Sequence, residues 1–83
     1  MANMQPLPGH PYVIYSAGPG GWSGWQIQAH CRLCGDSWSH SCNFPAKTNA
    51  WLARYGAQHA HGNQPLRQAF ARQYDAELHR LHQ

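Results

Sequence analysis

The chain has 83 residues, six Lys or Arg against three Asp or Glu, and only 11% charged residues, where an average domain carries about 25%. That length allows one thin-cored domain of the size that leans on a metal or on disulfides for support. The formal charge of +3 is too small and too dispersed to demand nucleic acid, and no apolar run approaches the roughly 18 residues of a membrane span.

Residues 1–24 read as an extended arm rich in Gly, Pro and aromatic residues. The first 11 hold three Pro and no periodicity, so a flexible or extended tail is expected there. No basic segment followed by an apolar run opens the chain, which argues against a signal peptide. Tyr12–Ser16 (YVIYS) is β-prone and is either an edge strand or loose, and Ala17–Gly21 (AGPGG) is a turn.

From Trp25 the pattern sharpens. Trp25, Ile27, Ala29 and Cys31 alternate with Gln26, Gln28 and His30, and after Gly35 the alternation resumes as Trp38, His40 and Cys42 against Ser37, Ser39 and Ser41. Period two marks half-buried strands. The two runs predict a β-hairpin whose turn carries Cys31-Arg32-Leu33-Cys34-Gly35 and whose inner face holds Trp25, Ile27, Ala29, Trp38 and Cys42.

Pro45 ends the second strand. A helix is expected to begin between Pro45 and Thr48, with Thr48 as its N-cap and Trp51, Leu52, Tyr55 and His59 on one side. Gly62 and Pro65 break the chain. A second helix is predicted over about 66–81, with Leu66, Phe70, Tyr74, Leu78 and Leu81 as its apolar stripe, most simply completing the core.

Cys-x-x-Cys in a strand turn is half of many zinc sites, because two thiolates at that spacing can enter one tetrahedral shell at about 2.3 Å from the ion. The other half must come from elsewhere. An extended strand after Gly35 carries Cys42 about 25 Å away at ~3.3 Å per residue. The following helix rises ~1.5 Å per residue and returns its C-terminal end, with His59, toward the turn. His61 joins it only if the chain is unwound there, since two helical residues point ~200° apart. The ligand set is therefore Cys31, Cys34, His59 and His61 around a structural Zn2+, with Cys42 first a core thiol and otherwise the alternative fourth ligand. Three cysteines is an odd number, which argues against a closed disulfide framework and for a reducing compartment, the cytoplasm or an intracellularly assembled particle.

These four residues, within about 25–62, make the chain resemble a ββα zinc finger of the Cys2His2 type. The resemblance implies a hairpin packed on a helix, a structural zinc, and contact with nucleic acid or protein through the helix. Two departures stand out: 24 residues separate Cys34 from His59 where the family has about twelve, and the histidines are spaced H-x-H where H-x₃₋₅-H is usual. The expected fold class is thus a small α+β domain, a zinc-stabilised hairpin with knuckle plus helix over 25–62, followed by a C-terminal amphipathic helix over 63–83.

Four protein ligands close a zinc ion to water, and Asp36, Asp75 and Glu77 are outside the shell, so no enzyme and no small-molecule substrate are expected. Three surfaces are open to a partner. The helix face of Lys47, Asn49, Ala50, Ala53, Arg54 and Ala57 supplies, with Arg32, three cations at most, which is weak for phosphate binding. The arm offers Tyr12, Tyr15 and Trp22 as aromatic anchors. The second helix is the third. The reading is a non-catalytic module that binds another protein or a macromolecular assembly; five Arg to one Lys suggest a bacterial or phage source. Nucleic-acid binding is the alternative.

Overall fold

The structure, a computed structural model of the whole chain, describes residues 3–20, 24–42 and 45–82. It divides into two compact units, Met1–Pro45 and Ala46–Gln83.

The first unit is a four-stranded antiparallel sheet in sequential order: β1 (Gln5–Pro6), β2 (Val13–Gly18), β3 (Trp25–Cys31) and β4 (Ser37–Cys42). The expected hairpin is β3–β4, with Trp25 opposite Cys42, Ile27 opposite His40 and Ala29 opposite Trp38. The supposed arm, however, supplies two more strands. β2 is an interior strand, pairing Val13 with Cys31, Tyr15 with Ala29 and Ala17 with Ile27. Directly opposed residues share a face, so Val13, Tyr15 and Ala17 extend the apolar side formed by Ile27, Ala29 and Cys31. Val13, Ile27, Ala29 and Cys31 are buried.

Residues 1–11 also depart from the expected loose tail. Leu7-Pro8-Gly9-His10 forms a reverse turn closed by His10 N–H donating to Leu7 O at 2.9 Å, with Gly9 at φ 81°. Pro then Gly at its centre is the type II arrangement, in which the third position needs positive φ. The turn buries Leu7 and His10. His10 Nδ1 accepts from the backbone N–H of Tyr12 at 3.1 Å and of Val13 at 3.3 Å, which orients the entry into β2.

The second unit is a helical hairpin. A 3₁₀ turn, Pro45–Lys47, leads into α1 (Thr48–Gln58), and α2 is Gln64–Leu81. Thr48 is not the cap; Lys47 takes that position and makes no side-chain cap bond. The helices run antiparallel. At one end the Phe70 ring lies on Gly56, where an added Cβ would come 2.8 Å from Cδ1; at the other, the Arg80 guanidinium donates to Ala46 O at 3.3 Å. Ala50 and Ala53 are buried, so the helix face expected to be open for partners is closed at its centre, and Lys47, Asn49 and Arg54 alone of that group are fully exposed. α2 starts two residues earlier than the stripe suggested. Asn63 caps it, its side chain accepting from Leu66 N–H at 3.1 Å, and Pro65 sits in the first turn, where its missing N–H costs nothing. Phe70 is buried and Leu66, Tyr74, Leu78 and Leu81 are half-buried, as the stripe required. Among the described residues no helix is long and apolar enough to cross a membrane.

Candidate metal centre

Cys31 ends β3 and is fully buried, while Cys34 is exposed in the turn that follows. Two backbone bonds shape that turn: Gly35 N–H donates to Cys31 O at 2.8 Å, and Cys31 N–H to Asp36 O at 2.9 Å. The tight return places Gly35 at φ 78°, a conformation that glycine adopts without strain. Arg32 N–H donates to Tyr12 O at 2.9 Å, so β2 buttresses the knuckle from the side.

The histidines lie where α1 gives way to α2. His59 is the C-cap residue of α1, its N–H donating to Tyr55 O at 3.1 Å. Its ring stacks on buried Tyr55, centroids 4.0 Å apart, and Nδ1 lies 3.0 Å from the same carbonyl oxygen. A carbonyl only accepts, so Nδ1 carries the proton and Nε2 the lone pair. That is the tautomer of a metal-ligating histidine oriented by a backbone carbonyl. His61 has left the helix, with φ 52°, and Gly62 follows at φ 83°. This unwinding lets two residues so close in sequence present their rings together: the His59 and His61 centroids are 6.0 Å apart. Two imidazoles on one tetrahedral zinc, with Zn–N near 2.0 Å, have centroids roughly 5 Å apart.

The ligand atoms of Cys31, Cys34 and His61 all lie within 4.8 Å of one another, and the three can hold a metal ion. His59 is outside this group of three and beside His61. Cys42 lies elsewhere: it pairs with Trp25, six residues along β3 from Cys31, about 20 Å at 3.3 Å per residue. It is half-buried, and as an alternative ligand it is out of reach of the knuckle.

The residues assigned to partners are dispersed. Trp22 lies outside the described residues. Tyr12 is half-buried, packed edge-on against His10, and the Tyr15 hydroxyl accepts from Gln5 at 3.2 Å. The Arg32 guanidinium donates to Pro11 O at 3.4 Å. Arg54 lies over the Trp51 ring at 5.9 Å. Lys47 borders a cavity of about 380 Å³ in the helical hairpin, walled by Trp51, Tyr74, Leu78 and Leu81. That cavity was missed in the sequence, although its walls are the two aromatic-aliphatic stripes; nothing in the stripes says that they part at this end.

No protein-family model, no curated protein and no solved structure matches the chain.

Proposed function

We propose that the protein is a small non-catalytic zinc module that presents a surface to another protein. The observation that carries the reading is the convergence of Cys31 Sγ, Cys34 Sγ and a ring nitrogen of His61 within 4.8 Å. Two thiolates and an imidazole are a donor set that suits Zn2+ better than Mg2+ or Ca2+, which take oxygen. His59, with Nδ1 already committed to Tyr55 O, supplies the fourth donor through Nε2. A shell of four protein donors leaves no coordination position for a substrate or an activated water, so the ion's role is to hold the fold.

The partner surface is the cavity of the helical hairpin. Trp51, Tyr74, Leu78 and Leu81 offer an apolar floor with Lys47 at the edge, which fits a protein segment carrying one large apolar side chain beside an acidic one. Binding at a nucleic-acid backbone draws no comparable support, since the Arg32 and Arg80 guanidinium groups are bound to backbone oxygens and Arg80 also to Glu77.

Metal content by native mass spectrometry tests the reading. One zinc per chain is expected for the wild type and for Cys42→Ser, and none for Cys31→Ser or Cys34→Ser. Equal zinc in all four proteins would sink it. Retention on heparin that falls steeply with salt would instead favour nucleic acid.

A further inference from the structure

We propose that the chain forms a two-fold symmetric dimer by pairing its β4 strand, antiparallel, with β4 of a second copy. Among the described residues β4 is the last strand of the sheet, six residues long, with no Lys, Arg, Asp, Glu or proline. Natural sheet edges ordinarily carry Lys, Pro or a bulge against such pairing, and the β3–β4 register runs unbroken from Trp25–Cys42 to His30–Ser37. The opposite edge, β1, is two residues with Pro6 in it. One open edge and one blocked edge close at a dimer and do not propagate into a fibre.

The backbone hydrogen bonds show which residues face outward. Cys31 N–H donates to Asp36 O at 2.9 Å, and Arg32 N–H to Tyr12 O at 2.9 Å. Hydrogen-bonded pairs alternate along an antiparallel ladder. Odd-numbered residues of β3 therefore bond to even-numbered residues of β4, and Trp38, His40 and Cys42 turn their backbone groups inward. Ser37, Ser39 and Ser41 aim theirs at the open edge.

Only some registers can use that edge, and one of them matches the side chains. With the two-fold axis at Ser39, Ser39 meets Ser39 of the second copy and Ser37 meets Ser41, giving about six inter-strand N–H···O bonds. Trp38 then falls opposite His40 of the second copy in the non-bonded positions, where side chains approach most closely. Within one chain Trp38 and His40 are already stacked, 5.8 Å apart and 6° from parallel. The dimer extends that stack to four rings, and no like charges meet, because β4 has none. The interface uses no residue of the metal centre, so its failure and that of the zinc reading are told apart by measuring zinc in the same samples.

Sedimentation velocity on the full-length, zinc-loaded chain is the test, with Ser39→Lys and Ser39→Asp as variants. Ser39 is exposed, so both are expected to keep the far-ultraviolet dichroism of the wild type. Wild type is expected to be a dimer. Each variant alone is expected to be monomeric, because like charges then meet on the two-fold axis, and an equimolar mixture is expected to restore a one-to-one dimer. Amide exchange at Ser37, Ser39 and Ser41 should slow as wild-type concentration rises. A wild type that stays monomeric at about 500 µM overturns the proposal; so does a dimer that both variants form as readily, or one whose three serine amides exchange at a rate independent of concentration.

Discussion

At the scale of single residues the molecule rests on a few polar side chains whose partners are backbone groups. His10 is buried with Nδ1 accepting two N–H groups. Its removal leaves two donors short of an acceptor, so His10→Ala is expected to cost about 1–3 kcal/mol. The check is urea unfolding followed by the midpoint. His59 and His61 differ from it because their exposed or half-exposed rings contribute little burial. His61→Ala is expected to abolish stoichiometric zinc. His59→Ala is expected to weaken zinc by more than the 10–100-fold typical of losing a residue that only orients a ligand, read by competition with a chromophoric chelator. An unchanged affinity in His59→Ala would show that the fourth donor is not this ring.

At the scale of elements, packing outweighs propensity. Gly56 sits in the middle of α1, where Ala would ordinarily be better by up to about 1 kcal/mol. Here the added methyl would stand 2.8 Å from the ring of Phe70, which is itself only 2% exposed, so the buried ring or the helix must shift. The clash wins, and Gly56→Ala is expected to destabilise the second unit by about 1 kcal/mol or more. Asn63→Ala, which removes the cap of α2, should cost about 1 kcal/mol; a thermal melt of each variant decides. The elements that were legible beforehand are those with a clean period. Trp25 to Cys31 and Ser37 to Cys42 alternate without a break, and Leu66, Phe70, Tyr74, Leu78 and Leu81 recur at helical spacing. β1 was obscured by the Gly and Pro around it, although Leu7-Pro8-Gly9-His10 carries a type II turn signature that could have been read, and Tyr12–Ser16, legible as an edge strand or loose chain, gave no sign of the interior place that β2 takes. Ala50 and Ala53 look like an open face because small side chains give a weak hydrophobic signal. Both are nevertheless buried.

At the scale of the whole molecule, chain length sets the problem. On the proposed zinc reading, an 83-residue chain with a thin core gains from one ion that joins ligands distant in sequence, such as Cys34 and His59 with 24 residues between them. Chelation is therefore expected to lower the melting temperature by more than about 10 °C. Acid should do the same, with a sign that follows from proton counting. The metal-bound form needs thiolates and neutral imidazoles, whereas the metal-free chain takes up protons, so the zinc contribution is present at neutral pH and lost as pH falls. A melt that is unchanged by chelator and flat from pH 7 to about pH 5 would contradict this. The candidate site was half legible. The Cys-x-x-Cys turn follows from the break between two alternating runs, and Cys42 was too far along its strand by strand rise alone. The ring orientations were not legible, since they depend on the unwinding at His61 and on the hydrogen bond from His59 to Tyr55 O.

X-ray absorption at the zinc edge, on protein purified without added metal and then loaded with one equivalent, tests the central claim most directly. Two sulfurs at about 2.3 Å and two nitrogens at about 2.0 Å are expected around the ion. A shell of oxygen and nitrogen alone, or a protein that binds no stoichiometric zinc, would contradict it.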